Sequence, residues 1–195
     1  MKIYTGRGDN GNTNIIGGRT VKKTDPRVKA YGSVDELNSL VGVLWAQIGA
    51  VYEGSPENKK KLTLFRKELK LIQDSLFDIG TDLANRDGKP MPKISKRRIE
   101  TLESSIDFYQ TMLPEIEYFV LPGGGSLGAT AHYVRAVTRR VEIVVLEVAE
   151  VEEVDQNSLI YLNRLSDYFF SLARYLNKVD KKEEVFYKGT GKVFH

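Results

Sequence analysis

Between Leu62 and Leu83, apolar residues recur at Leu62, Phe65, Leu69, Ile72, Leu76, Ile79 and Leu83, spaced alternately by three and four. That spacing holds one stripe on one side of a 3.6-residue helix, and a strand of period two cannot produce it. So long a stripe must be covered by other helices, which commits the chain to helix-on-helix packing. Four further stretches repeat the pattern. A helix opening at Ser33, with Glu36 three residues on as a capping box, carries Val34, Leu37, Val41, Leu44, Ile48 and Val51 and ends before Gly54-Ser55-Pro56. The Leu62–Leu83 helix stops near Asp87-Gly88-Lys89-Pro90, and Ser95 can cap a third helix with Ile99, Leu102, Ile106 and Tyr109 on one face. A fourth, from about Ser126 to Val151, passes through Val134, Val137, Val141, Val144 and Val148. Its β-branched residues lower helix propensity, so burial has to hold it. The fifth runs from about Ser158 to Asn177 with Leu162, Leu165, Phe169, Leu172 and Leu176.

Five amphipathic helices joined by short turns predict an all-α, ferritin-like five-helix antiparallel bundle behind a glycine-rich N-terminal loop. No repeat or long linker divides the sequence, so residues 1–195 read as one domain. Its parts are a loop over 1–30, a bundle over 33–178 and a charged, loose tail over 180–195 in which Val185-Phe186-Tyr187 can dock. Zero cysteines exclude disulfides, Cys-ligated metal and thiol catalysis, and two histidines leave little for a His-based metal site. A net charge of only +3 gives no reason to expect a nucleic-acid or membrane partner. No stretch has transmembrane length and the start lacks a signal-peptide core, which predicts the cytoplasm.

Three segments could carry chemistry. Gly6-Arg7-Gly8-Asp9-Asn10-Gly11 formally matches G-x-G-x-x-G, but no strand precedes it and no helix follows, so a dinucleotide fold fails. A G-x-x-x-x-G-K-[ST] loop is absent. What remains is a stretch rich in backbone N–H groups, followed by Arg19, Lys22, Lys23 and Arg27. Such a loop suits phosphate, although by itself it reads first as turn-forming chain. On the fourth helix His132, Arg135, Arg139 and Glu142 fall on one face, with Arg140 beside them. The choice there is between a solvated ion-pair face and an anion site, because clustered arginines repel unless something neutralises them. On the fifth helix Asn163 and Asp167 lie one turn apart, and on the first Asp35 and Asn38 form a similar pair. Each pair alone reads as structural before it reads as catalytic.

Taken together, the segments resemble the PduO-type ATP:cob(I)alamin adenosyltransferases. The likeness is carried by Tyr4-Thr5-Gly6-Arg7-Gly8-Asp9-Asn10-Gly11-Asn12-Thr13 and by the run from Lys23-Thr24-Asp25-Pro26-Arg27 to Asp35-Glu36-Leu37-Asn38-Ser39. It continues in Phe119-Val120-Leu121-Pro122-Gly123-Gly124 with His132, Arg135, Arg139-Arg140 and Glu142, and in Tyr161-Leu162-Asn163-Arg164-Leu165-Ser166-Asp167. The family often has Lys-Asp-Asp in place of Lys23-Thr24-Asp25, Arg-Arg-Ala-Glu in place of Arg139-Arg140-Val141-Glu142, and Ser or Thr in place of Gly125.

The resemblance implies transfer of the 5′-deoxyadenosyl group of ATP to the cobalt of cob(I)alamin, with triphosphate released. It implies a homotrimer with sites between subunits, and ATP held by Thr5, Gly6, Gly8, Asp9, Gly11, Thr13, Lys23 and Arg27. Arg135, Arg139, Arg140, Glu142 and Asn163 would complete the nucleotide site, with Mg²⁺ bound mainly through the ATP phosphates. Asp35 would pair with Arg135 across the subunit boundary, and Phe119 would stand on the lower face of the corrin, displacing its axial ligand. Arg135, Arg139, Asp35 and Phe119 are thus the catalytic candidates. A reductase and an adenosylcobalamin-dependent mutase are the implied partners. The competing reading is a helical bundle that binds nucleotide and corrinoid without turnover. A di-iron protein is excluded, because neither His132 nor His195 has a Glu three residues before it.

Overall fold

The computed structural model describes residues 2–54, 56–85, 94–189 and 191–192. Five helices dominate them: α1 (Pro26–Tyr52), α2 (Lys59–Leu83), α3 (Lys96–Thr111), α4 (Ser126–Ala149) and α5 (Gln156–Val179). Two short hairpin-like pairs are added, β1 (Asn12–Asn14) with β2 (Thr20–Lys22), and β3 (Phe119–Leu121) with β4 (Val185–Tyr187).

Cross-helix bonds fix the directions. Asn38 donates to the Gln73 carbonyl at 3.3 Å, so α1 and α2 run antiparallel, with Arg66 reaching Glu53 nearer the other end. Arg27 meets Glu152 while Arg140 meets Glu36, so α1 and α4 are also antiparallel. By contrast Arg164 bonds Glu103 and Gln110 bonds Ser171, so α3 and α5 run parallel, as an up-down alternation of five requires. The ring closes at α2, α3 and α5. There the Glu68 carboxylate accepts from Ser105 at 2.7 Å, from Tyr168 at 3.0 Å and from the Tyr109 hydroxyl. Burial, reinforced by that carboxylate, pushes both phenols well above their usual range, so they remain donors.

The apolar stripes read from the sequence form one core, from Val34, Leu37, Val41, Leu44 and Ile48 of α1 to Leu162, Leu165, Phe169, Leu172 and Leu176 of α5. Details differ at the ends. α1 begins at Pro26 rather than Ser33. Asp25 caps it by accepting from the Arg27 amide at 2.9 Å, and proline suits the first turn because its missing N–H would have no partner there. Ser33 lies inside the helix and donates to the Lys29 carbonyl, so the expected capping box is absent, and Val51 is exposed. Ser95 occupies the N-cap of α3 without a side-chain cap bond. α2 ends at Leu83, and its expected stop at 87–90 lies outside the described residues.

The tail is not wholly loose. Val185-Phe186-Tyr187 docks as β4 on β3, with Phe119 opposite Tyr187 and Leu121 opposite Val185. Nor is the first glycine-rich stretch all loop, since β1 falls within it. Neither pair showed as a strand in the sequence, because three residues are too few to display an alternating pattern.

Candidate active site

The N-terminal loop folds as two consecutive turns before β1. The Asp9 amide donates to the Gly6 carbonyl at 3.2 Å and the Gly11 amide to the Gly8 carbonyl at 3.3 Å. Gly6 and Gly11 have φ of +69° and +78°, a left-handed conformation that glycine adopts without strain. Behind the turns Ile15 and Val21 are buried, and the Ile16 amide bonds the Ala84 carbonyl at 2.9 Å, which pins the hairpin to the end of α2. Thr5, Gly6, Asp9 and Gly11 stay exposed, while Gly8 and Thr13 are half-buried. Lys23 folds back over the turns, its amide on the Gly11 carbonyl and its Nζ 3.2 Å from where a Cβ on Gly8 would stand. Exposed main chain with one ammonium over it can receive a phosphate.

Arg27 departs from the expected phosphate set. Its Nε pairs with Glu152 at 2.5 Å, and Nη1 and Nη2 donate to the Leu83 and Glu153 carbonyls. The side chain is buried, and it ties the start of α1 to the ends of α2 and α4.

The polar line of α4 divides into two flanks. Toward α5 stand His132, Arg135, Arg139 and Glu142, where Glu142 accepts from Asn163 at 2.8 Å. Among the described residues no carboxylate forms an ion pair with Arg135 or Arg139. Burial, and then the nearby Arg139, lowers the Arg135 pKa, and its Nε is buried with no hydrogen-bond partner. His132 is 2% exposed with both ring nitrogens unpartnered, and burial followed by the Arg135 charge holds its pKa down at about 4. It is therefore neutral at pH 7. Arg140 is on the other flank, pairing with Glu36 of α1 at 2.8 Å. One residue turns a helix by about 100°, so adjacent arginines cannot share a face. Asp167 is engaged within α5 by Arg164 at 2.9 Å.

Asp35 lies elsewhere, in a groove of about 330 Å³ between α1 and α2 lined also by Ile16, Asn38 and Phe77. Phe77 beside it is 70% exposed. So Asp35 and the docked loop share one side of the bundle, and Arg135 and Arg139 belong to another. Phe119, 48% exposed, is on β3 at the end of the bundle opposite the loop.

Several residues of this end were not among the sequence candidates. Arg174 and Asn177 of α5, each 1% exposed, hold the ribbon that bears Phe119, and Glu184 and Phe186 belong to it. The signal was available for Asn177, since an asparagine inside a helix is mildly unfavourable and calls for a partner.

The Cobalamin adenosyltransferase family model matches residues 3–176. The chain belongs to this family. A cobalamin adenosyltransferase relative, the corrinoid adenosyltransferase of Bacillus subtilis (strain 168), is 41% identical over 194 residues, covering 100% of this chain and 96% of that protein. The corrinoid adenosyltransferase MMAB of Homo sapiens is 35% identical over 192 residues, covering 95% of this chain and 73% of that one. Among solved structures, a variant PduO-type ATP:corrinoid adenosyltransferase from Lactobacillus reuteri, complexed with cobalamin and ATP, superposes with a TM-score of 0.87. It shares 38% sequence identity, and the match covers 99% of this chain and 100% of that one. A second variant of that enzyme, complexed with ATP, gives 0.84 at 39% identity over 95% and 100% of the two chains. This cobalamin adenosyltransferase fold is the five-helix bundle described above, and among the described residues no helix is long and apolar enough to cross a membrane.

Proposed function

We propose that this protein transfers the 5′-deoxyadenosyl group of ATP to the cobalt of a reduced corrinoid, forming adenosylcobalamin and triphosphate. Family membership and relatives bearing that activity in their names support it. The structural observation that carries it is the α4 flank, where among the described residues Arg139 has no carboxylate to neutralise it and so presents an anion site.

The chemistry requires little of the protein as a nucleophile. The Co(I) electron pair forms the new bond to C5′ of ATP as the C5′–O5′ bond breaks, and the leaving triphosphate takes that bond's electrons. Cobalt ends as Co(III). Negative charge builds on the triphosphate, where Lys23, the exposed Gly6–Gly11 backbone and Arg139 are disposed to stabilise it. Holding the two substrates in line supplies much of the remaining acceleration. Glu142, held by Asn163, offers carboxylate oxygens to the hydroxyls of a nucleoside. Among the described residues no group of three His, Asp or Glu is arranged to hold a metal, which favours Mg²⁺ entering on the triphosphate and neutralising its charge. In this reading Phe119 faces the lower side of the corrin and keeps water and an axial ligand away.

The placement of Asp35 supports a site shared between copies. One side of the bundle carries the loop, Asp35 and exposed Phe77, and another carries Arg135, Arg139 and exposed Leu146. Joining unlike faces closes a ring when the rotation between neighbours is a whole fraction of a turn, and a third of a turn gives the proposed homotrimer. Asp35 of one copy then neutralises Arg135 of the next. In this reading 1–195 is one cytoplasmic domain, supplied by a reductase and serving an adenosylcobalamin-dependent mutase.

The test is an anaerobic optical assay with cob(I)alamin, ATP and Mg²⁺. Adenosylcobalamin forming in proportion to protein is the expected result, with Arg139→Ala slower by about a hundredfold or more while still folded. Binding of both ligands without product supports the non-catalytic bundle instead.

A further inference from the structure

α5 grips both strands of the β3–β4 ribbon at one end. On the β3 side, Asn177 Nδ2 donates to the Gly123 carbonyl at 2.9 Å and the Gly125 amide donates to Asn177 Oδ1 at 3.0 Å. The amide is enclosed by glycine. A Cβ on Gly124 would stand 2.4 Å from Asn177 Oδ1, and one on Gly128 would stand 2.0 Å from it. Gly124 also has φ of +95°. On the β4 side, Arg174 donates from Nε to Glu184 at 2.8 Å and from Nη2 at 3.1 Å, and Nη2 also reaches the Pro114 carbonyl at 3.0 Å. The Arg174 side chain is wholly buried and that of Glu184 is 12% exposed.

Register turns these bonds into a lever. Glu184 immediately precedes Val185, which pairs with Leu121, and Leu121 is joined to Gly123 through Pro122, whose ring restricts φ. Both strands are thus fixed at the Leu121–Val185 end. Phe119 and Tyr187 pair at the far end, two residues outward on each strand. The two strands are largely exposed, so the backbone that carries Phe119 takes its placement on the bundle from this fixed end. A buried amide bonded at both its oxygen and its nitrogen, and a buried guanidinium bonded through Nε and Nη2, are costly to misplace, which makes the setting stiff.

We propose that Asn177 and Arg174 are positioning residues for the reaction, holding Phe119 at the corrin face without touching substrate. This rests on the reading that Phe119 excludes the lower axial ligand. It predicts that loosening the grip impairs the route that begins with cob(II)alamin more than the route that begins with cob(I)alamin, because only the former needs the ligand displaced before reduction.

The experiment compares wild type, Asn177→Leu, Glu184→Gln and Phe119→Ala, each assayed from cob(II)alamin with a chemical reductant and from pre-reduced cob(I)alamin. Asn177→Leu keeps the volume and removes both bonds. Its cob(II)-to-cob(I) rate ratio is expected to fall by about tenfold or more, as that of Phe119→Ala does, with ATP affinity within about twofold of wild type. The cob(II)alamin spectrum in the presence of ATP should return toward that of the axially ligated form. Should Asn177→Leu fail to fold, Glu184→Gln, which weakens the grip on the other strand, decides by the same ratio. Equal losses from both starting states, or an unchanged ratio while that of Phe119→Ala falls, overturn the positioning role. An unchanged ratio in Phe119→Ala overturns the corrin-face reading and this inference with it.

Discussion

The two glycine-rich segments lie at opposite ends of the bundle and use glycine in opposite ways. In the N-terminal loop, Gly11 has φ of +78° and open space where a Cβ would stand, so its backbone is offered outward. In the Gly123–Gly125 turn, the space of the missing Cβ is filled by the protein's own Asn177 at Gly124 and by Lys182 at Gly125. The first segment leaves exposed backbone to a ligand, whereas the second bonds its Gly125 amide and Gly123 carbonyl to α5. Glycine content alone could not separate an anion cradle from an internal clasp, whereas the occupant of the vacated volume does.

Substitutions at the two ends should therefore differ in kind. The largest effect is expected for Gly128→Ala, whose new methyl meets an amide that cannot move without losing two hydrogen bonds. A loss of about 3 kcal/mol in unfolding free energy is predicted, measured by urea denaturation. Adding Asn177→Ala should recover part of it, and no recovery would mean the clash lies elsewhere.

A second effect belongs to the clasp end alone. His132, facing Arg135 on its own helix and Arg174 and Glu184 from the packed elements, has its pKa lowered from 6.5 to about 4. The unfolded chain then binds the proton more readily than the folded one between those values. Stability should be full above about pH 6.5 and decline as pH falls toward 4, by roughly 2–3 kcal/mol. The difference between wild-type and His132→Gln unfolding curves isolates the effect, and parallel curves would contradict it.

The smallest stability change is expected for Gly11→Ala, about 1 kcal/mol from the left-handed backbone alone. Its signature is functional, an ATP dissociation constant raised about tenfold because the methyl occupies the surface offered to phosphate. Unchanged ATP affinity would erase the contrast between the two ends.

How much of this was legible in the sequence follows the range of the interactions. The helices were, because Leu62 to Leu83 and the other stripes express burial within a single turn's spacing. The line of Arg135, Arg139 and Glu142 followed from helical spacing as well, whereas Asn163, on another helix, joined it only through the family resemblance. Arg140 was assigned with them, but one step of rotation takes it to Glu36. Arg27 sat among cations near the loop in sequence, and only the fold shows Glu152 waiting for it. The clasp was hidden because Gly123, Asn177 and Glu184 meet through tertiary contacts that no local pattern encodes. Asp35 lies in the groove between α1 and α2, away from Arg135 of its own chain, so no spacing along the sequence could pair them.

The shared site between copies is the central claim, and mixing two inactive variants tests it most directly. Lys23→Ala should disable the loop and Arg139→Ala the α4 flank, so each variant alone should be nearly inactive. After the two are unfolded and refolded together in equal amounts, a site that takes its loop from one copy and its arginine from the next is intact about one time in four. Activity near a quarter of wild type is the predicted result. Activity no greater than the sum of the two parents, in mixtures shown to contain hybrid oligomers, would place loop and arginine in the same subunit and contradict the account.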